Sequence, residues 1–169
     1  MALVSLLMGS DSDLPTVKEA CAALSYFGVP FEARVLSAHR CPHDLVEYVK
    51  KAEAEGTKVF IAAAGGAAHL AGVVAAHTIR PVIGIPIHTS SLGGLDSLLS
   101  IVQMPGGVPV ATMSIGNAGG RNAGLLAVEI LALADTSLGD KIHKYREMQT
   151  EQVRQKDKKV AAELAAKPS

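Results

Sequence analysis

Two kinds of apolar pattern alternate along this chain. Short, nearly continuous apolar runs bounded by glycine or polar clusters predict strands over 3–8, 31–36, 58–63, 82–85 and 110–115. Longer stretches, with apolar side chains recurring every three or four positions, predict helices over 14–27, 42–55, 68–78, 95–101 and 121–134. Pro42 suits a first helical position, and Gly28 and Gly56 suit helix stops. Residues 59–79 carry no Asp, Glu, Lys or Arg and are long enough to cross a bilayer. Gly65 and Gly66 break that run and His69 and His77 lie within it, so it reads as a buried strand, a loop and a buried helix.

Successive strand–helix units imply a single-domain α/β fold, a three-layer αβα sandwich on a parallel, flavodoxin-like sheet with right-handed crossovers. The α/β unit takes 1–135, and 136–169 form a charged helical extension. Leu138, Ile142, Tyr145 and Met148 fall at helical spacing there, giving a stripe that needs a surface, on a neighbouring subunit or on the same one. Past about Val153 the run of Lys, Glu and Ala is expected to fray. The helix over 68–78 is small or apolar on nearly every face, which fits burial on all sides and points to a subunit neighbour.

Composition narrows the function classes. The chain is 49% hydrophobic but only 4% aromatic, without Trp, so its core is Ala, Val, Leu and Ile, as in closely packed helices and parallel strands. Sixteen basic residues balance sixteen acidic ones, and no basic block argues for nucleic acid or an anionic membrane. Cys21 and Cys41 make no CxxC pair and no disulfide framework, which suits a reducing cytoplasm. The apolar opening, 2–8, has no positive flank or cleavage site and reads as a strand rather than a signal peptide.

Reactive residues cluster where the first three strands end. LVSLLM gives way to GSDSD, FEARVL to SAHR, and VFIAAA to GGAAH. In an open parallel sheet the carboxyl ends of the strands share one edge, where ligands bind. Ser10, Asp13, Ser37, His39, Arg40 and His69 therefore converge on one pocket. GSDSD suits an anion at a helix start, or simply a turn with Asp13 as a cap. SAHR pairs a phosphate grip, Ser37 and Arg40, with His39, and histidine is the residue type best suited to acid–base work near neutrality. GGAAH lets backbone approach a ligand, or packs strand tightly on helix. His39 and His43 are four apart, but Pro42 starts the helix after His39, so the pair shares no helical face and has no evident third metal ligand. His43, His77, His88 and His143 read as packing or surface histidines.

GSDSD, SAHR, AGGAAHLAG, SLLSIVQMPGG and GNAGG with NAGLLA, in this order, resemble the 5-(carboxyamino)imidazole ribonucleotide mutase family of bacterial purine biosynthesis, from about Leu3 to Gln152. Cys41 stands where Thr is common in that family and Ala71 where Pro is expected. The resemblance implies an isomerase, free of cofactor and metal, that moves a carboxyl group from an exocyclic nitrogen to a ring carbon of its ribonucleotide substrate. It implies that Ser10, Ser37 and Arg40 hold the phosphate, Asp13 the ribose, and His39 the travelling proton. Gly65, Gly66, Ala67, Ala68 and His69 would line the base and carboxylate region, and the assembly would be an octamer. A related group carboxylates aminoimidazole ribonucleotide directly with carbon dioxide; it carries Lys in place of Arg40 and lacks the GGAAH form, whereas this chain has the mutase form at both. A flavodoxin-like module that binds a nucleotide without turnover is the rival from another class.

Overall fold

A computed structural model describes residues 1–165. The apolar runs become β1 (Val4–Met8), β2 (Phe31–Val35), β3 (Val59–Ala64), β4 (Val82–Pro86) and β5 (Ala111–Thr112). They form one parallel sheet in the order β2-β1-β3-β4-β5. The helices are α1 (Leu14–Phe27), α2 (Pro42–Ala54), α3 (Leu70–Ala75), α4 (Leu95–Val102), α5 (Asn117–Ala132) and α6 (Thr136–Ala165).

Alternate residues of a strand point to opposite faces, and here both faces are covered. Val4, Leu6 and Met8 of β1 join Val17, Leu24 and Phe27 of α1 and Ala127 and Val128 of α5. Leu7 of β1, with Phe60 and Ala62 of β3, joins Leu45 and Val49 of α2, Val74 of α3 and Ile101 of α4. This double burial explains why β1, β3 and β4 read as nearly continuous apolar runs, with Ser5 of β1 buried among them. The sandwich expected from the strand–helix alternation is therefore present.

Helices α1 and α5 approach closely because α5 carries glycine where they touch. A Cβ on Gly124 would lie 2.7 Å from the Ala20 carbonyl oxygen and 2.8 Å from Ala23 Cβ. Gly119, Gly120 and Gly124 of GNAGGRNAG thus belong inside a helix, which starts at Asn117 rather than at 121, with Gly116 just ahead of it. Conversely, α3 is shorter than the apolar run suggests and stops at Ala75. Ile79 is 87% exposed, so burial on all sides holds only for the face bearing Leu70, Ala71 and Val74. The fifth strand shrinks to Ala111–Thr112, after Pro109.

The first half of α6 finds its surface on its own chain. Leu138, Ile142 and Tyr145 pack against the α1–α5 core. The Tyr145 ring stands edge-on to Tyr26 at 5.4 Å and to Phe27 at 5.5 Å; such pairs contribute about 0.5–1.5 kcal/mol each beyond burial. Lys141 Nζ donates to the Phe27 carbonyl at 3.1 Å, and Arg146 pairs with Glu129 at 2.6 Å. The expected fraying past Val153 gives way to helix as far as Ala165, exposed throughout that reach; the last four positions lie outside the described residues.

Candidate active site

The strand order decides where a site can form. The chain leaves β1 for β2 on one side of it and returns to β3 on the other, so the crossovers diverge between β1 and β3 and open a crevice at their carboxyl ends. A cleft of about 470 Å³ lies there. Ser10, Asp13, Ser37, His39, Arg40, Gly65, Ala67 and His69 all line it. Two expected residues do not. Ala68 is wholly buried behind the loop. Gly66 gives its N–H to Ser97 Oγ at 2.9 Å, which turns that donor away from the cleft.

After β1, Ser10 opens a 3-10 turn over Asp11–Asp13. The Ser12 N–H donates to Ser10 Oγ at 3.3 Å, and the Ser10 N–H donates back to Asp13 Oδ2 at 3.2 Å. Ser12 Oγ donates to Asp13 Oδ1 at 3.3 Å. Asp13 therefore does not cap α1 with its side chain; it is held, 7% exposed, at the floor of the cleft. Burial pushes its carboxyl above the ordinary carboxylate value, while the bonds from Ser10 and Ser12 pull the other way.

After β2 the chain folds into a tight ring. Cys41 N–H donates to the Ser37 carbonyl at 3.1 Å, the Ser37 N–H donates to Cys41 Sγ at 3.2 Å, and the thiol donates to the Ser37 carbonyl at 3.4 Å. Ser37 Oγ accepts from Arg40 N–H at 3.3 Å and from Arg40 Nε at 3.2 Å. Arg40 Nη2 then donates to the Gly9 carbonyl at 2.6 Å, tying the β2 loop to the end of β1.

After β3, a turn in which the N–H groups of Ala68 and His69 donate to Gly66 and Ala67 carbonyls, both at 2.8 Å, sets His69 just ahead of α3. His39 Nε2 and His69 Nδ1 share a hydrogen bond of 2.8 Å, their rings perpendicular with centroids 4.9 Å apart. Thirty positions apart in the chain, the two imidazoles meet because β1 and β3 are neighbours and the loop after β2 crosses above β1.

A family model described as AIR carboxylase matches residues 3–152. The chain belongs to the AIR carboxylase family. It is 52% identical over 158 residues to the N5-carboxyaminoimidazole ribonucleotide mutase of Pyrococcus horikoshii, spanning 94% of this chain and 88% of that one. It is 57% identical over 145 residues to the protein of the same name from Bacillus subtilis, 86% of this chain and 90% of that one. The solved structure of Treponema denticola PurE superimposes with a TM-score of 0.85 at 30% identity, covering 94% of this chain and 98% of that one.

Within this AIR carboxylase fold the wall after β4 also reaches the cleft, through Ile87, His88 and Thr89. IHTSSLGGLDS, Gly- and Ser-rich after a strand, is readable from sequence as further rim of the pocket, but His88 within it reads as an ordinary histidine. The signal was present, since IHTSS follows an apolar strand as GSDSD, SAHR and GGAAH do. Ser97, fully buried, is the second residue missed: its hydroxyl donates to the Ile87 carbonyl at 2.8 Å while accepting from Gly66, so it joins the β3 and β4 loops behind the site. No group of three or more His, Cys, Asp or Glu side chains gathers as a metal cage among the described residues.

Proposed function

We propose that this chain is an N5-carboxyaminoimidazole ribonucleotide mutase, which converts the carbamate-bearing nucleotide to 5-amino-4-carboxyimidazole ribonucleotide in purine biosynthesis. The observation that carries the reading is the hydrogen-bonded His39–His69 pair standing in one cleft with Ser10, Ser37 and Arg40. The names of relatives 52–57% identical along most of their length point the same way.

Ser10, Ser37 and Arg40 take the phosphate, with Arg40 supplying the only cation among them. Asp13 accepts from the ribose hydroxyls. Gly65, Ala67 and His69 border the imidazole. The carbamate C–N bond breaks with its electron pair left on nitrogen, which takes a proton, and carbon dioxide is released beside the ring. The neighbouring ring carbon attacks that carbon dioxide, then loses its own proton. His39 carries both protons, so no redox partner is needed. Ala64, Gly65, Ala67, Leu70 and Ile87 give the cleft apolar walls that hold carbon dioxide in place between the two steps.

The same reading makes the protein a cytoplasmic homo-octamer that acts on a small ribonucleotide without cofactor or metal, with the exposed second half of α6 reaching a neighbouring subunit. The exposed second half of α6 and the uncovered Leu95, Leu99 and Val102 of α4 support assembly. Light scattering should then return eight times the 17.5 kDa chain mass.

The deciding assay follows absorbance with the carbamate nucleotide and, separately, with aminoimidazole ribonucleotide plus bicarbonate. Fast conversion of the first alone is expected. Fast conversion of the second points to the carbon-dioxide-dependent carboxylase, and binding without conversion of either to a non-catalytic module. His39→Asn should lower turnover by about a hundredfold or more while substrate affinity stays within a few-fold; near-normal turnover removes His39 from the role.

A further inference from the structure

The loop after β4 is built to hold one imidazole over the cleft. Ile87 N–H donates to the Ala64 carbonyl at 3.0 Å, extending the β3–β4 ladder one step past the strand. The Ile87 carbonyl is bound by Ser97 Oγ at 2.8 Å. On the other side of His88, Thr89 Oγ1 donates to Asp96 Oδ1 at 2.7 Å and accepts the Gly94 N–H at 3.1 Å. Gly94, at a φ of 91°, presses against this segment so closely that a Cβ there would lie 3.1 Å from the Ile87 carbonyl and 3.2 Å from His88 Cα. Residues 87 and 89 are thus fastened by α4 and its approach, while His88 between them stays exposed and lines the cleft.

The strand order tells which end of a ligand His88 would meet. Along the edge the loops run β2, β1, β3, β4, carrying Arg40, Ser10, His69 and His88 in turn. At about 4.8 Å per strand, β2 and β4 are roughly 14 Å apart, comparable to an extended nucleotide with a single five-membered ring. A phosphate held by Ser37 and Arg40 beside β2 and β1 sets the ribose over Asp13 and the imidazole against Gly65. The group that projects furthest from the phosphate, the transferred carboxylate, then arrives at the end of β4.

Resting on the mutase reading above, we propose that His88 is a specificity-determining residue whose imidazole donates a hydrogen bond to the carboxylate of the nucleotide and tells carboxylated from uncarboxylated ligand. Three ligands separate this role from the others in calorimetric titration: 5-amino-4-carboxyimidazole ribonucleotide, aminoimidazole ribonucleotide and ribose 5-phosphate. His88→Ala should bind the carboxylated nucleotide about tenfold more weakly, the scale of one hydrogen bond to a charged group at a partly open site, and bind the other two as the unaltered protein does. His88→Gln, which keeps a donor, should recover most of the loss. Equal affinity of His88→Ala for the carboxylated nucleotide overturns the assignment, and so does a loss shared by ribose 5-phosphate. If the unaltered protein binds the carboxylated and uncarboxylated nucleotides and turns over the carbamate while His88→Ala matches it, only this inference fails. If the unaltered protein binds neither nucleotide, the mutase reading fails with it.

Discussion

Arg40 offers a quantitative test of how the cleft holds an anion. A guanidinium has five N–H groups. Nε serves Ser37 Oγ and one N–H of Nη2 serves the Gly9 carbonyl, which leaves the remaining N–H groups of Nη1 and Nη2 for a ligand. The two internal bonds orient the planar group, so little side-chain freedom is lost when a phosphate binds. A hydrogen bond to a charged partner contributes about 1.5–3 kcal/mol net. Arg40→Ala removes such a contact from an exposed rim, and the expected loss is about 2–3 kcal/mol, or roughly 30- to 150-fold in Kd. Arg40→Lys keeps the charge, but one ammonium cannot serve Ser37, Gly9 and a phosphate together. Its cost should be about 1 kcal/mol, roughly fivefold. Titration of ribose 5-phosphate at fixed ionic strength measures both, and the gap between Arg40 and Ala should narrow in high salt. Because the Arg40 side chain is exposed, melting temperatures should barely move. An Arg40→Ala protein that binds ribose 5-phosphate as tightly as the unaltered one would remove the phosphate from this loop.

Two further outcomes follow from the packing. Burial raises the Asp13 pKa above its ordinary value of 3.8, so the folded state holds that proton more tightly than the unfolded chain, and stability falls as pH rises from 3.8 through the folded value, then levels. Asp13→Asn, which cannot ionise, should match the unaltered protein in acid, exceed it at neutral pH in urea midpoint, and bind ribose-bearing ligands less well; parallel stability–pH curves for the two proteins would contradict the burial argument. Gly124→Ala should lower unfolding free energy by about 1–3 kcal/mol in urea titrations despite alanine's better helix propensity, because the added Cβ meets the Ala20 carbonyl and Ala23; an unchanged or raised midpoint would show that α1 and α5 can separate freely.

The layout of the cleft was legible because each of its first three walls announces itself locally: an apolar strand stops and reactive residues follow. What could not be read was anything that depends on how loops face one another. The His39–His69 bond and the Arg40 bridge to Gly9 join residues 30 and 31 positions apart, and no local pattern encodes either. The family resemblance implies all of GGAAH at the ligand, Gly66 and Ala68 included, yet the turn alternates, sending Gly65, Ala67 and His69 outward and burying Ala68. The position of IHTSS after a strand was readable, but a lone histidine among Ser and Gly carries no spacing signature to assign it a role. Helix ends failed for a related reason. An all-apolar run such as LAGVVAAHTI gives no polar face to mark where α3 stops, and glycines that thin α5 for contact with α1 look like a loop in isolation. The stripe on α6 was visible, but the choice between its own core and a neighbour's needed the positions of Tyr26 and Phe27.

One hydrogen lies between Nε2 of His39 and Nδ1 of His69, and its position sets the tautomer of both rings at once. If His39 donates, its Nδ1 is a bare lone pair and His69 offers an N–H at Nε2; if His69 donates, the neutral pair has those outer nitrogens reversed. Moving that hydrogen alone would charge both rings; when His39 also gains a proton at Nδ1 and His69 loses one at Nε2, donor and acceptor exchange at both far ends with no change in total charge. Two neutral rings joined this way form a short proton wire that can deliver at one end and collect at the other, then reset by running backwards. Breaking the link without removing His39 would leave each ring free to take its tautomer independently of the other.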